Sequence, residues 1–276
     1  MNRIAGELAR TNLRLARAAD ASSDQTALLD QRDRLLADLS QYGDIQTTLA
    51  QDGSVSVTLV STTPATALVN GGTTTTLAMT AATDGTVSYT LDGNALTLTG
   101  GSLAGQQLAL GKLAQLKGDL DTLAASIVTT VNTAQAAGTD RDGNAGADLL
   151  TGTTAATIAL ATGNPARIAT APAGAPASSR DASNLEALRS ALSSADPAGG
   201  MDAILFDISA TVSGRTVTRE ALATISDAAR TALSAQTGVD LDAEGVNLVR
   251  YQQAFQASGR VMQVAAALFD SLLQIR

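Results

Sequence analysis

Residues 238–276 read GVDLDAEGVNLVRYQQAFQASGRVMQVAAALFDSLLQIR. From Leu248 onward, apolar residues recur at alternating intervals of three and four, which predicts a helix that buries one broad stripe against another helix. Polar residues such as Arg260 and Gln263 lie mostly on the opposite face. Such a helix needs a partner, and we predict that the following residues contact it: Leu248, Tyr251, Phe255, Val261, Met262, Ala265, Leu268, Phe269, Leu272 and Ile275.

Composition disfavours several classes of function. The net charge is −8 without a basic cluster, which disfavours nucleic acid or an anionic membrane surface as a partner. The chain has no Cys and no His, so disulfides, the usual zinc sites and His-based triads are excluded. No apolar run predicts a membrane-spanning helix, and the first residues do not form a cleaved secretion signal. We therefore predict no enzymatic activity, with no catalytic, cofactor-binding or metal-binding residues.

Two helices are predicted at the start of the chain. The first covers residues 2–19 and begins without a cap, from which we expect the chain to be cut out of something longer. The second contains LLDQRDRLLADLS, residues 28–40, and ends at Gly43. By pattern alone, its charged residues form a solvated helix face. Three residues are suited to begin this helix: Ser22, Ser23 and Asp24.

In residues 45–100 the helical spacing ends, and the pattern predicts a small antiparallel β domain of five or six short strands. Apolar and polar residues alternate, as at Val55, Val57 and Leu59, and Asp-Gly or Gly-Gly pairs mark the turns between strands. The Thr-rich strand faces are most simply solvent faces, although an adhesive surface is an alternative.

Helical periodicity returns after this segment. Residues 103–137 keep a spacing of three and four and predict one long helix. A shorter helix over residues 184–194 is predicted to be capped by Ser183, and residues 201–236 to form two helical pieces interrupted at Ser213-Gly214. Asp240 or Asp242 is positioned to cap the last helix.

The predicted fold is mainly α with an inserted small β domain, an α+β class in which long antiparallel helices form a shaft. Six segments follow from this division: 1–43, the first part of the shaft; 44–100, the β domain; 101–137, the long helix; 138–196, a mixed irregular, strand and helix segment against the shaft; 197–238, the return helices; and 239–276, a coiled-coil-type helix.

Three short stretches are weak candidates for binding chemistry. Residues 140–148 alternate Asp and Asn like half of a calcium loop, but Ala145 and Thr151 stand where that pattern requires Gly and Glu, so a hydrated turn is favoured. Gly100-Gly101-Ser102 resembles a phosphate cradle but lacks the accompanying Lys. The acids at 240, 242 and 244 are better interpreted as capping charge at a helix start.

Two motifs carry a resemblance to a known family. GVDLDAE, NLVRYQQAFQAS, RVMQ and LFDSLL, in this order, resemble the C-terminal signature of the bacterial flagellar axial proteins, a group of rod, hook and hook-associated proteins. LLDQRDRLLADLS, followed by the turn at residues 51–55, resembles a stretch peculiar to the hook-associated protein 1 family, the hook–filament junction proteins.

The resemblance implies a structural role and a layered architecture like that of flagellin and hook proteins. The chain is similar to the C-terminal two-thirds of a family member and lacks the family's N-terminal helical segment. Family membership implies self-association in a ring, contact with hook protein and with the next hook-associated protein or flagellin, and an export chaperone at the C-terminal helix. It also implies an extracellular flagellar location reached through type III export. Alternatives are another axial protein and a surface adhesin.

Overall fold

The computed structural model describes residues 1–18, 23–61, 67–238 and 241–274. Helices make up 59% of the structure and the strands form small antiparallel sheets, which confirms the mainly α class with a small β part. The chain divides into two compact units, residues 1–205 and residues 206–276. None of the helices in the described ranges combines the length and the apolarity needed to cross a bilayer.

The first part of unit 1 contains two helices and seven strands, where five or six strands were predicted. Helix α1 ends at Leu15, earlier than predicted, and Ala19 and Ser22 lie outside the described residues. The elements are α1 (Asn2–Leu15), α2 (Ser23–Ser40), β1 (Ile45–Leu49), β2 (Val55–Leu59), β3 (Ala67–Asn70), β4 (Thr73–Thr74), β5 (Leu77–Ala81), β6 (Val87–Leu91) and β7 (Asn94–Leu96).

These strands form two antiparallel sheets. One has the order β1-β2-β3-β4 and the other β5-β6-β7, and an isolated bridge between Ser61 and Leu98 adds one further pairing. The predicted alternation is observed in β2, where Val55, Val57 and Leu59 are buried and the residues between them are half-buried. A strand places alternate side chains on opposite faces, so β2 turns these three side chains towards a common core.

The sheets do not have a core of their own. Apolar side chains from both sheets pack in one cluster with side chains of α1, α2 and the start of α3. A β segment this small buries too little surface alone, which explains why it uses helices as a second layer. The cluster consists of Ile4, Ala5, Leu8, Ala9, Leu35, Leu39, Val55, Val57, Leu59, Leu68, Val69, Tyr89, Leu91, Leu96, Leu98 and Ala104.

The rest of unit 1 is built around a second helix pair, α3 and α4, which pack together. Short paired strands connect them, β8 with β11 and β9 with β10. The elements are α3 (Gly101–Ala136), β8 (Gly138–Thr139), β9 (Leu150–Thr151), β10 (Ala159–Leu160), the 3-10 turn Pro165–Arg167, β11 (Ala171–Pro172) and α4 (Ser183–Ala195).

At the start of α4, the predicted capping residue Ser183 is not the cap. Ser183 is the first helical residue, and the cap position before it is Ala182, which makes no side-chain cap hydrogen bond. The N–H of Ser183 instead donates to the Asp181 side chain at 2.9 Å. An Asp two residues upstream therefore performs the function that the sequence assigned to Ser183, because its carboxylate reaches the first free N–H of the helix.

One residue joins α4 to helix α5 (Pro197–Thr237). Asp196 ends α4 in the left-handed conformation, with φ 44°, and its side chain accepts a hydrogen bond from the N–H of Gly199 at 3.1 Å. Pro197 then begins α5, a position where its missing N–H has no helical partner to lose. Asp196 thus ends one helix and caps the next.

Helix α5 runs without a break through Ser213-Gly214, so the predicted division into two pieces is wrong. A single Gly costs about 1 kcal/mol relative to Ala in a helix interior, which is too little to end a helix of this length. Two threonine side chains just after the site, Thr216 and Thr218, donate to the carbonyls of Val212 and Gly214 at 2.9 Å.

Candidate partner-binding surface

Helix α6 (Leu241–Gln274) carries the predicted partner-binding stripe. Its first turn contains Asp242 and Glu244, whose negative charge suits a helix N-terminus. Asp242 lies inside the helix and is therefore not its cap, while Asp240 lies outside the described residues. The apolar period beginning at Leu248 thus falls within one uninterrupted helix.

The side chains of the stripe are exposed wherever the structure describes them. Leu248 is 58% exposed, Tyr251 73% and Phe255 82%, and Val261 and Met262 are similarly open. Ala265 is exposed as well.

The far end of the stripe is described less completely. Leu268, Phe269 and Leu272 lie in the helix, although only their backbone is described, and Ile275 lies outside the described residues. One helix therefore brings six of the ten predicted side chains onto an open surface.

The beginning of this surface forms a shallow open depression along the helix. The side chains that line it are Glu244, Leu248, Tyr251, Gln252, Phe255 and Gln256. Two aromatic rings with amide neighbours are suited to packing against another protein surface, where aromatic residues are enriched. A depression on one side of a single helix is too open to enclose a small molecule.

At the phosphate-cradle candidate around Gly101, the backbone N–H groups that a phosphate would need are already bonded to the protein's own carbonyls. The N–H groups of Ser102 and Leu103, at the start of α3, donate to the carbonyls of Gln41 and Tyr42, each at 3.0 Å. Gly101 has φ 79°, and a Cβ there would lie 2.4 Å from the Gly43 backbone. These contacts show that the glycine pair lets the end of α2 meet the start of α3.

The Asp-rich turn after β8 is organised by Asp140. One carboxylate oxygen accepts from the N–H groups of Asp142 and Asn144 at 3.0 and 2.8 Å, and the other lies 3.8 Å from the Arg167 guanidinium. The Asn144 N–H, helped by the Asp142 N–H and by the charge of Arg167, holds the pKa of Asp140 below its ordinary value. Within the described ranges, no group of three or more acidic residues could hold a metal ion.

Sequence analysis missed a set of amide side chains that attach loops and strands to helices. Asn12 is fully buried: its amide donates to the carbonyls of Val55 and Gly71 at 2.8 Å and accepts from the Val55 N–H at 3.0 Å. Asn2, Asn132, Gln135 and Asn184 make similar bonds with other backbone groups. The sequence feature that could have identified such a residue is an amide at a core position of an amphipathic helix, as at Asn12.

Two family models match the chain. Residues 1–150 match the model described as the flagellar hook-associated protein FlgK helical domain, and residues 233–275 match the model of the flagellar basal body rod FlgEFG protein C-terminal region. The first match covers more than half of the chain. The second covers all of α6, including the exposed stripe.

Individual relatives match over smaller parts. The flagellar hook-associated protein 1 of Salmonella typhimurium and that of Salmonella typhi are each 58% identical over 40 residues, which is 14% of this chain and 7% of either relative. The solved flagellar hook junction protein FlgK from Burkholderia pseudomallei is 30% identical, with a TM-score of 0.45, over 54% of this chain and 29% of that one. The match over residues 1–150 places this chain in the family of the flagellar hook-associated protein FlgK, also known as hook-associated protein 1.

Proposed function

We propose that this chain is a structural subunit of the bacterial flagellum at the junction between hook and filament, where subunits join through helix bundling in a ring. The exposed apolar stripe of α6 is the observation that carries the proposal. Membership of a structural flagellar family, which is not an enzyme family, supports the same role.

The stripe requires cover for a physical reason. Large apolar side chains arranged as a continuous row on one helix face are unfavourable in water and drive either aggregation or association. Their alternating spacing of three and four is the spacing at which helices interlock side by side. Helices of neighbouring axial subunits are therefore the best match to this surface.

The same surface serves two partners in sequence. An export chaperone covers α6 before the subunit leaves the cell by the flagellar type III apparatus, and neighbouring subunits cover it after assembly outside the cell. Hook protein lies on one side of the ring, and the next hook-associated protein or flagellin on the other. One apolar face suffices for both steps, because the two partners bind at different times.

Deletion of the parent gene, followed by complementation, tests the proposal. We expect deletion to leave hooks without filaments by electron microscopy and cells that do not swim. Phe255→Asp should fail to restore swimming, because a charge in the centre of an apolar contact weakens association by at least about 2 kcal/mol. Gln263→Asp, which adds the same charge on the polar face of α6, is the matched control and should restore swimming.

The match of α6 to the rod-protein model favours a second candidate, another part of the flagellar axis. Deletion separates the two: loss of the hook itself would indicate a rod or hook subunit. Attached filaments and normal swimming after deletion would refute both candidates. Full complementation by Phe255→Asp would show that the stripe is not the contact surface.

A further inference from the structure

Helix α1 turns a row of arginines away from the core. Its buried face contains Ile4, Leu8 and Leu15. On the opposite face and in the turn that follows lies what we call the basic stripe, defined as Arg10, Leu13, Arg14 and Arg17, all of which are exposed. Arg10, Leu13 and Arg14 are three and four residues apart on one face of α1, and Arg17 lies in the turn just beyond the end of the helix at Leu15. The arginines do not form a run in the sequence, and the helix brings them together.

The N-terminal segment that contains α1 has a charge opposite to that of the whole chain. Residues 1–17 contain four Arg and one Glu, a net charge of +3, which leaves −11 for the other residues. Within α1, Glu7 pairs with Arg3 at 2.8 Å, and Asp24 of α2 lies 3.8 Å from Arg14. No ion pair to Arg10 is seen in the described part of the chain.

Arg10 and Arg14, four residues apart on one helix face, repel each other and destabilise the helix in isolation. A row of like charges beside a half-exposed leucine is favourable when an anionic surface covers it, because complementary charge fixes the register of an interface. Leu13 is 44% exposed and supplies the apolar centre that such a contact needs.

The outer face of α2 has the complementary charge. Residues 23–40 contain four Asp and two Arg, a net charge of −2. Asp30 and Asp38 are exposed and lie about 12 Å apart along α2, on the same face of the helix. Arg34 lies between the two carboxylates and reduces, but does not cancel, the negative charge of this face.

We propose that the basic stripe of one copy of this chain docks on the outer face of α2, at Asp30 and Asp38, in a second copy. The two surfaces lie on different helices, so the contact is head-to-tail, and a head-to-tail contact repeated around an axis can close a ring. This inference rests on the proposed function, since it names a contact by which ring subunits associate.

Charge reversal tests the contact in the 276-residue chain. Sedimentation velocity over a range of concentrations measures self-association, and circular dichroism verifies that each variant is folded. Arg10→Glu/Arg14→Glu should raise the midpoint concentration of association at least about tenfold, because like charges then face each other across the contact. Arg180→Glu/Arg189→Glu, which makes the same change in net charge at exposed positions elsewhere in unit 1, should leave association unchanged.

Adding Asp30→Arg/Asp38→Arg to the α1 variant should restore association, since the two charges are then exchanged. Loss without this restoration would overturn α2 of a second copy as the partner and point to a different anionic protein. Undiminished association of the α1 variant would also overturn the inference. The proposed function would survive that result if Phe255→Asp still abolished filament attachment, so the two failures are distinguishable.

Discussion

At Asn12, a side-chain amide pairs with backbone groups as a neighbouring strand would. It bonds to both the N–H and the C=O of Val55, which lies 43 positions away in the sequence. An amide on an apolar helix face marks Asn12 in the sequence but does not identify its partner, because such an amide is equally typical of a mismatch and of a buried contact. Local chemistry was similarly insufficient at Ser183, where Asp181 was the better acceptor. The sequence therefore could not predict which side chains bond to backbone groups far away along the chain.

Asp140 gives a prediction at this scale. Its pKa is lower in the folded chain than the usual value of about 4, so its stabilising effect is complete above about pH 4 and is lost as the pH falls through the folded pKa. Asp140→Asn should lower the melting temperature at pH 7, and the difference from the parent should shrink towards pH 3. Thermal unfolding by circular dichroism measures both.

Asp142→Asn, an exposed neighbour with the same change in charge, is the control for this comparison. A melting-temperature difference between Asp140→Asn and the parent that is equal at every pH would contradict the linkage. The charge of Asp140 would then have no differential effect on folding.

Elements were predictable where periodicity is long and uninterrupted. The amphipathic patterns over α1, α2, α3 and α6 were recognised, because a stripe that recurs over several turns is hard to form by chance. Boundaries and breaks were less predictable. The sequence predicted an interruption at Gly214, but the many residues of α5 that favour the helix outweigh the small cost of one Gly.

Gly214 therefore gives a prediction at the scale of the helix. A Cβ added there meets no atom within 4 Å, so Gly214→Ala should stabilise α5 by about 0.5–1 kcal/mol. Urea unfolding followed by circular dichroism at a helix wavelength measures the change. Gly85→Ala is the matched control: space is open there too, but φ is 85°, so the same substitution should destabilise. Equal effects of the two substitutions would indicate that the chain is not helical at Gly214.

For the molecule as a whole, the fold class and the stripe of α6 followed from the sequence. The shared core of helices and sheets did not, because it joins residues as distant as Ile4 and Leu98 whose contacts leave no periodic signal. The sequence likewise does not identify what covers the stripe, since an amphipathic face predicts a partner without identifying it.

The shared core predicts how unit 1 unfolds. Leu8 is fully buried between helices and sheets, so Leu8→Ala should cost about 2–5 kcal/mol. Hydrogen exchange should show the amides of α1, β2 and β6 losing protection together. Leu13→Ala, on the exposed side of α1, should have a much smaller effect. Full protection of the strands in the Leu8 variant would mean that the sheets and helices fold as separate bodies.

The one-residue joint at Asp196 has a mechanical consequence. A flexible linker extends under tension, whereas the single residue between α4 and α5 leaves almost no length that could extend. A pull along the first turns of α5 is therefore passed directly to α4 and, through their packing, to α3. The start of α3 is bonded in turn to the end of α2, so force entering at Asp196 spreads through unit 1 rather than stretching a loop. This part of unit 1 is therefore stiff at the joint.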